Sequence, residues 1–254
     1  MIKRRHWHIR NKIRRHRALT GDRRLLRNLP PTRLLNRKSL KTCLQKYKVI
    51  YVKPVYGSFG NKIMKLSRIR NHYVVRNEQK VRTVRANRIS SVVFRHTRGR
   101  PFMIQKGISL QHVNGYPVDY RLLMLKPANS WLMMGIMGKQ ASGNRIVTNY
   151  NHGGKPIQFR QSLLSLGWTA RQINNIQAKM VRIGLIAARQ FARRYKHCRR
   201  LGIDLAIDTE KRLWIIEVNT NPLYDLFRHH ENPTLYRRID RYMKEIKKRQ
   251  RDQK

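Results

Sequence analysis

The sequence predicts an α+β fold. Short apolar runs occur in returning pairs that read as β-hairpins, one stretch of about 25 residues carries a continuous helical stripe, and glycine, proline and asparagine clusters separate these segments.

Taken in order, residues 1–28 are Arg-rich and carry His6, Trp7, His8 and His16. The apolar positions Trp7, Ile9, Ile13, Leu19, Leu25 and Leu26 are too sparse for a helical stripe, so this stretch reads as a basic arm that becomes helical on a polyanion. A transit peptide has similar composition, but Asp22 and the scarcity of serine weigh against one. Leu29-Pro30-Pro31-Thr32 marks a boundary, and Leu40, Leu44 and Tyr47 then give a short helix over Arg37 to Tyr47. Val49 to Pro54 is a strand ending at Lys53. It runs into Gly57-Ser58-Phe59-Gly60 and returns through Lys62 to Leu66. Such a strand, loop and strand can bring backbone N–H groups close to phosphate, although a plain hairpin with a glycine turn has the same pattern, and no Gly-Lys-Ser/Thr follows. Residues 68–95 alternate basic and apolar positions, as strands with one wet face do. Phe102 to Ile108 reads as a buried strand leaving into a linker. Asp119 and Arg121 share one face of the next strand, where an acid and a base commonly pair. After a strand from Trp131 come a turn at 141–144, a short strand from Ile146 to Tyr150, and Asn151-His152-Gly153-Gly154. Thr169 to Arg194 is the clearest helix, with Ile173, Ile176, Met180, Ile183, Ala187 and Phe191 as its buried face. From Asn232 a tail with Leu235, Ile239, Tyr242 and Ile246 at helical spacing passes into a frayed basic terminus.

The charge balance narrows the partners. Lys and Arg number 58 against 12 Asp and Glu, a net charge of +46, which calls for a polyanionic neighbour: nucleic acid, an anionic membrane surface or an acidic polymer. Cys43 and Cys198 make neither a disulfide framework nor a metal knuckle, so a reducing, cytoplasmic compartment is expected. The densest apolar run, Trp131 to Met137, is far short of a membrane span, and the basic N-terminus lacks the apolar core of a secretory signal.

Against that background the acids are unevenly placed. Asp204, Asp208, Glu210 and Glu217 are a third of the 12 and fall within one hairpin, Leu201 to Asp208 with Leu213 to Asn219. Glu217 and Asn219 are two apart and share a face, and pairing brings Asp204 beside them. Two carboxylates and an amide offer hard oxygen donors suited to Mg2+, with Mn2+ as a substitute. The competing reading is a set of solvated hairpin polars, but Glu217 lies within the apolar run Trp214 to Val218.

The ordered set Lys53-Pro54 with Gly57-Ser58-x-Gly60, Ile104-Gln105-Lys106-Gly107-Ile108, Asp119-x-Arg121, Thr148-Asn149 with Gly153-Gly154, Gly202-Ile203-Asp204, and Glu217-Val218-Asn219 resembles the ATP-grasp enzymes. More narrowly it is similar to the YheC/YheD family of endospore coat-associated proteins, from about Leu29 to Phe227. The resemblance implies two α+β lobes closing on ATP and Mg2+, and a carboxylate–amine or carboxylate–thiol ligase working through an acyl phosphate. It implies a core at 29–230, with a flap subdomain at about 49–105 and a C-terminal lobe at about 106–230, followed by a basic helix or tail at 231–254. By position, Lys53 would meet the nucleotide phosphates and Gly57, Ser58, Phe59 and Gly60 would form the flap. Gln105, Lys106, Gly107 and Ile108 would be the adenine hinge, and Asp119 would lie near the ribose. Arg121, Lys139 and Asn149 would face phosphate or the reacting acyl group, and Asp204, Glu217 and Asn219 would hold the metal. The sequence departs from the pattern at Lys62, where a further glycine is usual. The upstream phosphate lysine falls to Lys38 or Lys41, and only the basic arm precedes the core. The alternative is a non-catalytic, strongly basic spore-coat or nucleic-acid-associated protein that keeps the fold.

Overall fold

The apolar runs pair into two antiparallel sheets, each with its own core, in a computed structural model that describes residues 9–57, 62–141 and 154–252. The first sheet contains β1 (Thr32–Leu34), β2 (Val49–Pro54), β3 (Met64–Ile69), β4 (His72–Arg76), β5 (Val81–Arg85) and β6 (Phe102–Lys106), in the spatial order β1-β6-β2-β3-β4-β5. Leu40, Cys43 and Leu44 of α3 (Arg37–Lys46) and Ile89 and Val93 of α4 (Ile89–Thr97) complete its core. Helix α4 departs from the alternating strand pattern read over residues 68–95. Ile89, Val93 and Thr97 are buried at intervals of four, which overrides the local β propensity of Val92-Val93.

The second sheet runs β10 (Lys155–Gln158), β9 (Leu132–Gln140), β8 (Tyr116–Leu125), β11 (Arg200–Ile207) and β12 (Leu213–Asn219), with the short β7 (His112–Val113) paired to β8. Its two faces are covered differently. Tyr120, Leu122 and Met124 pack with Leu201, Ile203, Leu205 and Ile207 against α5 (Phe159–Leu164) and α6 (Ala170–Arg194). Leu123 and Leu125 pack on the other face against α7 (Pro233–Asp252). Thr169 caps α6, its side chain accepting from the Gln172 N–H while the Thr169 N–H donates to Gln172 Oε1, and all six expected stripe residues are buried. The C-terminal helix is longer than the expected tail. It buries Met243 and reaches Gln250, whose Nε2 donates to the His197 carbonyl at 3.1 Å.

The basic arm also takes a different form from the expected one. α1 (Lys12–Thr20), capped by Asn11, and α2 (Arg23–Leu26), capped by Asp22, place Ala18, Leu19, Leu25 and Leu29 in the core beneath α6. Few apolar residues are needed because they enter a core that the sheet and α6 have already largely built. Among the described residues no helix is long and apolar enough to cross a membrane.

Candidate active site

Asp204, in the middle of β11, lies opposite Arg121 of β8 on one side and Glu217 of β12 on the other. Leu201, Ile203, Leu205 and Ile207 point to α6, so Asp204 points away from it. A β-bulge brings Glu217 to the same side. The register passes from Asp204↔Glu217 to Leu205↔Ile215, which leaves Ile216 as the extra residue. Leu213 and Ile215 face the α6 core before the bulge and Val218 faces it afterwards. Without the extra residue Glu217 would follow Ile215 into apolar surroundings. Gly202 leaves room for Arg121: a Cβ there would stand 2.6 Å from Pro222 Cβ and 3.1 Å from Arg121 Nη1.

Charged groups converge on these strands. Arg121 donates to Asp204 from Nε at 2.8 Å and from Nη2 at 3.2 Å. Lys139 Nζ donates to Asp204 Oδ1 at 2.7 Å and pairs with Asp119 at 2.9 Å. The expected pairing of Asp119 with Arg121 along one strand therefore gives way to pairing across strands. Asn219 Nδ2 donates to Asp204 Oδ2 at 3.3 Å, and Glu217 lies opposite Asp204 in the strand register, so the three expected metal-binding residues are neighbours on one face. Facing them from β2 is Lys53, only 8% exposed, whose Nζ donates to Gln105 Oε1 at 2.6 Å. Gln105 Nε2 in turn donates to Thr32 Oγ1 at 3.2 Å and, across to the second sheet, to the Ile216 carbonyl at 3.4 Å.

Two further cations come from α1, a segment with no sequence signature of a site. Arg15 donates to Glu217 Oε1 from Nη2 and to Asn219 Oδ1 from Nη1, both at 2.7 Å, and Lys12 Nζ lies 3.6 Å from Glu217 Oε2. In an arm with so many basic residues, nothing local distinguishes these two.

The electrostatics follow from burial and these pairs. Burial raises the Asp204 carboxyl, but Arg121 and Lys139 outweigh it and hold the group well below the usual carboxylate range. Glu217 is likewise lowered, because Lys12 and Arg15 overcome its desolvation. Desolvation dominates at Lys53 and brings its ammonium from 10.5 to about 8. His16, half-buried on α1, is lowered to about 4 by desolvation and is neutral at pH 7.

The donor set fits a hard divalent cation: two carboxylates and an amide, with no thiolate or imidazole among them. Among the described residues no group of three or more His, Cys, Asp or Glu assembles, so a metal here would depend on substrate oxygens for its remaining positions. Between the sheets Lys12, Arg15, Lys53, Gln105 and Glu217 line a cavity of about 20 Å3. A roomier groove of about 910 Å3 lies between α2 and α6 but shares no residue with this cluster.

Of the other expected site residues, Ser58, Phe59, Gly60 and Asn149 lie outside the described residues. Gly57, the first residue of the expected flap, adopts φ +113°, and Lys62 adopts φ +61°, a backbone conformation better suited to glycine. In the segment expected to meet adenine, the Lys106 N–H donates to the Pro31 carbonyl and the Gly107 N–H to the Val49 carbonyl, so both amides are already engaged. Lys106 Nζ lies over Trp214 at 5.5 Å, and Ile108 is half-buried. Lys38 and Lys41 are exposed on α3 and neither lines the cleft.

Two antiparallel lobes, with an acid-and-amide cluster on one and a buried lysine facing it from the other, define a protein of the ATP-grasp class. The chain belongs to the YheC/D-like ATP-grasp family, whose model matches residues 3–246. It is 25% identical over 198 residues to the endospore coat-associated protein YheD of Bacillus subtilis (strain 168), covering 72% of this chain and 41% of the relative. To YheC of the same organism it is 20% identical over 200 residues, covering 76% and 54% respectively. The chain thus spans about half the length of the curated relatives it matches. The fold is shared with D-cycloserine synthetase DcsG (TM-score 0.57, 10% identity, 93% of this chain and 71% of that one). It is shared also with the VanG D-Ala:D-Ser ligase of Enterococcus faecalis (TM-score 0.55, 10% identity, 93% and 61%).

Proposed function

We propose that the chain binds ATP between its two sheets and, with a divalent cation held by Asp204, Glu217 and Asn219, activates a carboxylate for attack by an amine or thiol. The observation that carries this reading is the meeting of Asp204, Glu217 and Asn219 on one sheet face, with Lys53 opposite and Arg121 and Lys139 beside them. A substrate carboxylate oxygen would attack the γ-phosphorus while the bond to the bridging oxygen breaks and ADP leaves with the electron pair. The amine or thiol would then attack the acyl carbon and expel inorganic phosphate. Mg2+ or Mn2+, when bound, supplies neutralisation of the transferred phosphoryl. The rest is positioning and fixed charge from the chain. Lys53 would hold phosphate oxygens, Asp119 the ribose, and Arg121 and Lys139, with Asn149, the reacting acyl group. No side-chain nucleophile is needed, and the Cys198 thiol, pushed up to about 12 by burial, is a poor one.

The net charge of +46 and the coat association in the relatives' names support a polyanionic setting, such as an acidic polymer, a spore-coat component or nucleic acid, in which this reaction takes place. The test is ADP release with a panel of carboxylates and amines or thiols, in the wild type and in Asp204→Asn. Carboxylate-dependent ADP that disappears in the variant is the expected result. Nucleotide binding with no turnover on any pair would favour a non-catalytic protein of the same fold, and absence of nucleotide binding would overturn both readings.

A further inference from the structure

We infer that Lys12 and Arg15 are a phosphate-binding pair: they grip Glu217 and Asn219 while the cleft is closed, and pass to the oxygens of an incoming polyphosphate, so that nucleotide binding frees the metal site. The inference rests on the metal role proposed above for Glu217 and Asn219.

Four observations support it. Two cations, each with one positive charge, stand on one carboxylate, the charge a divalent ion would bring to the same place. Arg15 is 4% exposed and its buried Nε has no hydrogen-bond partner among the described residues, so a donor remains unused in the wall of the cleft. The cluster is electrostatically unbalanced. Lys12, Arg15, Lys53, Arg121 and Lys139 face Asp119, Asp204 and Glu217, leaving two more cations than acids, an excess suited to a polyphosphate. Finally, α1 is tied to both lobes. The Lys12 N–H donates to the Val55 carbonyl at 2.9 Å, Asn11 Nδ2 to Tyr56 Oη at 3.1 Å, and the Ile9 N–H to Thr220 Oγ1 at 2.9 Å.

The cleft is too small as it stands. A cavity of about 20 Å3 compares with roughly 300 Å3 or more for a ligand pocket, so the lobes must part to admit a nucleotide. Ala18 and Leu19 root α1 in the core of the lobe that carries Glu217, so the same opening breaks the Lys12 bond to Val55 and uncovers Lys12 and Arg15 to the incoming phosphates. A guanidinium that has lost a carboxylate finds an equivalent two-pronged acceptor in phosphate. Metal alone, by contrast, must displace both cations with nothing to receive them.

Calorimetry with three probes tests this: Mn2+ alone, adenylyl-imidodiphosphate in chelator, and both together, in the wild type and in Lys12→Gln/Arg15→Gln. The variant should bind Mn2+ alone about tenfold tighter and the metal-free analogue about tenfold weaker, with the coupling between them reduced. The opposite signs set the exchange apart from misfolding, which lowers both. A variant that weakens both, or changes neither, overturns the exchange. If Mn2+ binds wild type and variant equally, the exchange fails while the metal role stands. If Mn2+ binds neither, with or without the analogue, the metal role fails too. In the unaltered protein, hydrogen exchange at the α1 amides should quicken several-fold with Mg2+ and the analogue, and unchanged or slower exchange contradicts the proposal.

Discussion

Lys53 stands in the cleft at a cost to the fold, and the cost can be measured. Burial lowers its ammonium from 10.5 to about 8, an effect that Glu217, Asp204 and Asp119 only partly offset and Lys12 reinforces. That displacement corresponds to about 3 kcal/mol of disfavoured charging in the folded state. Below pH 8 both folded and unfolded chains hold the proton and the full penalty applies. Between pH 8 and 10.5 the unfolded chain binds more protons than the folded one, so this contribution makes stability rise with pH, and above 10.5 the penalty is gone. Lys53→Met removes the charge but leaves Gln105 Oε1 without its donor, a loss of about 1 to 2 kcal/mol. The variant should therefore be more stable than wild type at pH 7 by about 1 to 2 kcal/mol, while losing nucleotide affinity. Urea unfolding of both proteins at intervals from pH 7 to pH 10 gives the comparison, because titration of the other lysines cancels in the difference. The variant's advantage should vanish and then reverse across that range. Parallel pH profiles, or a variant less stable throughout, would refute the account of Lys53 as a buried cation held for binding.

Asp204→Asn leaves Arg121 and Lys139 without a shared carboxylate and should cost about 3 to 5 kcal/mol in urea unfolding at pH 7. Because Asp204 is held below its usual 3.8, its contribution is present above that value and fades as pH falls, so the variant should show a flatter acid limb in unfolding from pH 6 to pH 2. Gly184→Ala should destabilise by about 1 to 2 kcal/mol despite alanine's better helix propensity, since the new Cβ would lie 2.5 Å from Leu122 Cδ2 and 3.3 Å from Met124 Sδ where α6 meets β8; thermal unfolding reads the loss. Binding to an acidic polymer or to nucleic acid should weaken linearly in log Kd against log salt with a steep slope, and a flat dependence would exclude a charge-driven partner.

The elements that were legible in the sequence are those whose signal is local. The α6 stripe is buried as read, its boundary falls at the Thr169 cap, and the hairpin from Leu201 to Asn219 pairs with Asp204 opposite Glu217. The period-two rule placed Glu217 and Asn219 together correctly, although the face they share depends on a bulge at Ile216 that no residue type announced. Residues 89–97 misled because β-branched side chains at helical spacing look alike in both readings until a sheet lies beneath them. The role of α1 was hidden for a different reason. Arg15 meets Glu217 across 202 residues of chain, and one arginine among many in a basic arm has no periodicity to mark it.

Sequence alone determined the two kinds of element and the concentration of acids in one hairpin, which are written in spacing over a few residues, and the resemblance to ATP-grasp proteins, which lies in the order of short motifs along the chain. Only the tertiary structure decided that Asp204 takes Arg121 and Lys139 rather than leaving Arg121 to Asp119, and that the N-terminal helix closes on the cleft. Those choices are made by burial. A carboxylate removed from water needs a cation within reach, and which cation arrives is settled by how the sheets and α1 pack, not by neighbours in the chain.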